Sequence, residues 1–229
     1  MTTYDGWAPL ASPRDAAFEG GTIRDGAHLD VMDRLVAIDL EASGLHVRSY
    51  PIELGWALVS DPSRSGSRHV RPVDGWSVYD WDAEAEAVHG TRRDDLFVMG
   101  TPPDEVVSIF EGALPERAIL VSDAPGHDED WLHKLYIAAG RTRMPLVQMS
   151  MAVGCGLVHD RLPDTGFEGA VFAHDRIAAA TDFTNPSTHR ARDDAVNVAT
   201  TLHRCGTEPL DDLRRLATPP EPPGASTNR

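Results

Sequence analysis

The order of apolar runs and turn signals in this 229-residue chain constrains its fold more than any other feature. Residues 34–39 read RLVAID, a short apolar run that ends in an acid, as a buried strand does. Residues 52–59 (IELGWALV) predict a second strand and residues 69–73 a third, with the turn between them over 63–67. Helical and strand patterns then alternate. Residues 104–114 carry apolar side chains at helical spacing, and 118–122 form a further strand. An amphipathic helix is expected over 129–139, a short strand over 145–151, a helix over 172–180 and a strong helix over 190–205, closed by Gly206. Three neighbouring strands followed by alternating helices and strands imply an α/β fold: a mixed β-sheet flanked by α-helices.

The ends differ from this middle. Residues 1–33 are polar and acidic without clear periodicity, and are expected to form an irregular arm anchored by Trp7 and Leu10. From Thr218 the chain reads TPPEPPGASTNR, a flexible Pro-rich tail. The expected division is an arm (1–33), one globular domain (34–217) and a tail (218–229). Hydrophobic residues make up 41% of the chain, enough for a core, and no run of about 18 apolar residues could span a membrane. The two cysteines, Cys155 and Cys205, lack zinc-ligand spacing and cannot staple a disulfide scaffold, so a reduced, cytoplasmic setting is expected.

Three clusters carry the chemistry. Asp39 and Glu41 stand two apart at the end of the first strand, so their side chains point the same way. Paired carboxylates repel each other unless a proton or a cation lies between them, and oxygen ligands suit Mg²⁺ or Mn²⁺. His189 lies at the start of the last strong helix with Asp194 about one turn further in, and Ser187 or Thr188 is positioned to cap it. A His that reaches the mouth of a carboxylate cluster can serve as a general base. The third cluster, VSDAPGHDEDWL over 121–132, is a strand end, a Pro-Gly turn and an acid-rich helix start.

In this order the motifs resemble those of the DEDDh 3′→5′ exonucleases. These include polymerase proofreading subunits, RNase T and oligoribonuclease. Asp39, Glu41 and Gly44 match the first motif. His189, Ala191, Asp194 and Ala195 match the HxAxxD motif. Asp128, Trp131 and Leu132 match D-x-x-[FW]-L, and Val88-His89-Gly90 matches the family's VHG turn. The match departs at Ala42, where Thr is usual, at Thr91, where Ile is common, and in a second motif one residue longer than usual. That extra residue leaves Asp123 as a competitor to Asp128 for the second-motif ligand.

The resemblance implies an RNase H-like fold and two-metal hydrolysis of phosphodiesters at single-stranded DNA or RNA 3′ ends. Two Mg²⁺ or Mn²⁺ ions would be held by Asp39, Glu41, Asp128 and Asp194, with His189 as the base. Gly44, Leu45, His89 and Gly90 would line the pocket for the terminal nucleotide. It also implies a possible homodimer. Trp56 reads as core. Trp76 and Trp81 could stack on bases or pack inside. The arginines at 190 and 192 could meet phosphates or form surface ion pairs. Acids outnumber bases 36 to 21, a formal charge of −15. That disfavours a protein that grips long duplexes by many phosphates and favours single-stranded 3′ ends or short oligonucleotides, as oligoribonuclease takes. The rival is a non-catalytic nucleic-acid-binding module of the same fold.

Overall fold

The computed structural model describes residues 27–184 and 186–219. Trp7, Leu10 and most of the Pro-rich tail lie outside the described residues. Five strands form one sheet, β1 (Leu35–Ala42), β2 (Pro51–Leu58), β3 (Ser65–His69), β4 (Ile119–Ser122) and β5 (Val147–Met149), in the order β3-β2-β1-β4-β5. The first three pair antiparallel, while β1–β4 and β4–β5 pair parallel. The sheet is therefore mixed, as the pattern of runs implies. The third strand begins at Ser65 rather than at residue 69, because the turn is tighter and earlier: Arg64 N–H donates to Asp61 C=O at 2.9 Å. The small residues read as loop, Ser65, Gly66 and Ser67, are the strand that pairs with β2.

Nine helices are described: α1 (Ala27–Met32), α2 (Ala83–His89), α3 (Arg93–Met99), α4 (Pro103–Ala113), α5 (Pro125–Ala138), α6 (Ser150–Arg161), α7 (Gly166–Thr184), α8 (Ala191–Thr207) and α9 (Leu210–Ala217). Residues 27–32, expected to be irregular, form a helix whose Met32 is 2% exposed and packs against Gly206.

Alternation along β1 divides the core. Val36, Ile38 and Leu40 face Val107 and Phe110 of α4 and Leu132 and Leu135 of α5. Leu35 and Ala37 face α6, α7 and α8. The result is three layers, helices on both sides of the sheet. Asp39 and Glu41 continue the Leu35–Ala37 side by the two-residue period, so they emerge on the α8 face at the strand's end.

Seating α8 depends on close approach. Its buried stripe is Ala191, Ala195 and Ala199, all fully buried. Opposite its first turn stands Gly55 of β2, where a Cβ would lie 2.1 Å from the backbone carbonyl of Ala191. Gly55→Ala must push the helix start off the sheet, and overpacking of this kind costs about 1–3 kcal/mol. Urea unfolding is expected to show that loss; a variant as stable as the parent would mean that α8 is not seated at Gly55.

Candidate active site

β1 delivers Asp39 and Glu41 to the sheet's end, where the β1–β2 register shifts between Glu41 and Ala42. Such a bulge bends the strand and re-aims its side chains. Glu41 lies directly across from Glu53, a 4% exposed acid on β2. Beyond the bulge, Ser43 fixes the following loop: its hydroxyl donates to Asp80 C=O at 2.8 Å and accepts from Tyr50 N–H at 3.0 Å.

α8 brings the second set. Its cap residue is Arg190, which makes no side-chain cap bond, so neither Ser187 nor Thr188 caps the helix as expected. Instead the Thr188 N–H and hydroxyl lie 3.4 Å from the carboxylates of Asp194 and Asp193. His189 has a positive φ of 50°, in the left-handed region. That turn brings ligand atoms of Glu41, His189 and Asp194 within 4.8 Å of one another.

A second group comprises Asp39, Asp123 and Asp128, also within 4.8 Å of one another. Asp128 enters from the first turn of α5 and is 1% exposed. Its carboxylate accepts from Leu40 N–H at 3.1 Å and from the Ser122 hydroxyl. Asp123, weighed as an alternative to Asp128, joins the group beside it. Strand order explains why: β1 and β4 are parallel neighbours with Ala37 opposite Val121, and each strand leads into an Asp two residues later.

The two groups open on a cleft of about 930 Å³. Leu45, at its rim, is 75% exposed, and Gly44 lines it. His89 also lines it but is 3% exposed. Its Nδ1 accepts from Thr91 N–H at 3.1 Å, which leaves the proton on Nε2, and burial lowers its pKa. That Nε2 has no hydrogen-bond partner among the described residues. Gly90 is the left-handed cap of α2 (φ 68°) and is not among the residues lining the cleft. Thr91 instead accepts from Arg190 at 3.2 Å, tying this turn to the start of α8.

The remaining aromatic and basic candidates resolve by packing. Trp56 is core, against Phe110. Trp76 stacks on Tyr50 at 5.1 Å, and Trp81 donates to Glu86 at 2.6 Å. Arg192 pairs with Asp193 on the surface at 3.0 Å. Sequence reasoning missed the far wall of the cleft, where His174, Ala178 and Asp182 of α7 line it at i, i+4 and i+8. That spacing was the available signal.

Burial and crowding raise the pKa values of Asp39, Glu41, Asp123 and Asp128. Burial, then the charges of Asp128 and Glu41, raise Asp39 well above the usual carboxylate range. Burial and Asp194 raise Glu41 to about 7, and burial raises Asp128 to about 7. Two like charges this close repel by roughly 3–4 kcal/mol at an effective dielectric near 20. An oxygen-rich pocket that resists ionisation suits a hard divalent cation.

These raised values set the sign of the pH dependence. A group whose folded pKa exceeds its unfolded one contributes stability at low pH, and loses it as pH rises through the folded value. Metal-free protein should therefore melt lower near pH 8 than near pH 5, and Asp39→Asn should melt higher than the parent near pH 8. Differential scanning fluorimetry in EDTA checks both; a parent that is stabilised between those pH values would contradict the assignment.

No family model matches this chain, and no curated protein matches it. Solved structures do. The chain is similar to exonuclease I (TM-score 0.52, 11% identity, 80% of this chain and 42% of that one). It is also similar to E. coli exonuclease I in complex with a dA16 oligonucleotide (TM-score 0.51, 11% identity, 79% and 42%). A looser likeness is to exonuclease X in complex with 5′ overhanging duplex DNA (TM-score 0.46, 18% identity, 80% and 99%). The chain spans about two fifths of the length of the exonuclease I chains it matches. Together with the mixed five-stranded sheet and its flanking helices, the two likenesses to exonuclease I show that the chain has its RNase H-like fold.

Proposed function

We propose that the chain is a DEDDh-type, metal-dependent 3′→5′ exonuclease that removes nucleoside monophosphates from single-stranded DNA or RNA. One observation carries the reading: two acid groups, one of them including His189, converge at the end of β1 over an open cleft. The fold shared with exonuclease I, one structure of which holds a dA16 oligonucleotide, supports the substrate class.

Asp39, Glu41 and Asp194, with Asp123 and Asp128 on the β4 side, would hold two Mg²⁺ or Mn²⁺ ions. The donor set fits: all are oxygen ligands, and the buried members resist charging without a cation. Two such ions, when bound, activate a water and stabilise the leaving 3′ oxygen. His189, exposed beside Glu41 and Asp194, takes the proton from that water at a ring nitrogen. Leu45 packs against the terminal base at the rim. His89, at the end of α2, lines the same cleft. The excess of acids disfavours a long duplex, so a frayed or single 3′ end is the substrate.

Incubation with Mn²⁺ and 5′-labelled single-stranded DNA, RNA and di- to pentanucleotides tests the reading. The expected result is a ladder that shortens from the 3′ end, stops with EDTA and is abolished by Asp39→Asn. His189→Ala should slow it by about 10²-fold or more. Preference for the shortest RNA would assign an oligoribonuclease-like role. Intact substrates under all these conditions, with oligonucleotide still bound, would instead make the chain a non-catalytic binding module.

A further inference from the structure

Resting on that reading, we infer that Arg190 is a positioning residue: its bond to Thr91 across the cleft holds His189, the proposed base, beside Glu41 and Asp194. His189 needs such support. Its φ of 50° lies in the left-handed region, which costs a residue with a side chain free energy and persists only where the surroundings enforce it. Residues 186–190 are exposed. The hydrogen bonds at His189 and just before it are long. Thr188 N–H and hydroxyl reach Asp194 and Asp193, and His189 N–H reaches Ser187 Oγ, each at 3.4 Å. Bonds of that length are weak.

Arg190, the next residue, is held at both ends. Its carbonyl accepts from Asp193 N–H at 2.8 Å and from Asp194 N–H at 3.0 Å, so its backbone opens α8. Its guanidinium donates from Nη1 to Thr91 Oγ1 at 3.2 Å.

The seat for the guanidinium is firm. Thr91 is 6% exposed, and its N–H donates to His89 Nδ1 at 3.1 Å. Gly90 makes the turn ahead of it, with its N–H on Glu86 C=O at 2.8 Å. The guanidinium runs close over this turn: a Cβ at Gly90 would lie 3.7 Å from Arg190 Nη2. Arg190 also lies near enough to Glu41 to favour its charged form, so its charge faces the same group as His189. His189 is thus joined to a residue fixed by α8 on one side and by a buried turn on the other.

Steady-state cleavage of a short single strand with Mn²⁺, and amide hydrogen exchange of the metal-free chain, test the inference. Thr91→Val removes the acceptor and keeps the shape. It should lower kcat about three- to tenfold with KM within about twofold, the size expected for one partly exposed hydrogen bond. Thr91→Ser, which keeps the hydroxyl, should restore the parent rate. In a His189→Ala background Thr91→Val should cost nothing further, because the bond acts through His189. In EDTA, the Asp193 and Asp194 amides should exchange about three- to tenfold faster in Thr91→Val than in the parent. A raised KM with kcat unchanged would make Arg190 a substrate contact instead. An equal loss with and without His189 would show that the bond does not act through it, and unchanged kcat and exchange would show that it holds nothing. Each of these results overturns the inference. A parent chain that cleaves nothing would overturn the exonuclease reading, while the exchange comparison still decides whether Thr91 holds the start of α8.

Discussion

Mutual repulsion among Asp39, Glu41, Asp123, Asp128 and Asp194 is the force against which the rest of this architecture is built. A single close pair opposes folding by an amount comparable to a sizeable part of a domain's net stability of about 5–15 kcal/mol. Acids on flexible segments would move apart. Here Asp39 and Glu41 sit on a strand hydrogen-bonded on both sides, with its apolar residues packed into both layers. Asp194 rides on a helix held against the sheet by its alanine stripe and by Gly55. The core on both faces of the sheet stabilises an arrangement that the acids alone would disperse.

The same logic explains which parts of the site are rigid and which are exposed. Asp128 and His89 are buried and held by backbone donors, Leu40 N–H and Thr91 N–H. His189 and Leu45, by contrast, are exposed on loops that meet the cleft from opposite ends of the chain. The buried acids are held within the sheet and the helices packed on it, and His189 and Leu45 stand at the rim of the cleft. The Thr91–Arg190 bond joins the two rims, so the turn at His89 and the start of α8 are mechanically coupled.

Much of this was legible because the chemistry is concentrated in short, local patterns. The Asp39–Glu41 pair needs only the two-residue period of a strand, and His189 and Asp194 need only the start of a helix. Elements with strong periodicity, such as β1, β2, α4 and α8, fall close to where the pattern predicts them. Others carry weaker signals. α2 (AEAEAVH) is short and polar, and α6 (SMAVGCGLVHDR) has two glycines, so their helical state owes more to neighbours than to propensity. The shift of β3 to Ser65–His69 has the same origin: a run of small residues becomes a strand because β2 offers a partner.

By itself the sequence determined the residue types of the site, their order along the chain and the mixed α/β class, because these depend on spacing within a few residues. The tertiary structure alone decided that Asp123 stands beside Asp39, that Asp128 accepts from Leu40 N–H and the Ser122 hydroxyl, and that Trp76 and Trp81 pack on Tyr50 and Glu86. It also added His174 and Asp182 as a far wall of the cleft. The placing of Asp123 and Asp128 depends on which strands lie side by side and how far each runs. Strand order joins residues more than eighty positions apart, and no local pattern encodes that distance.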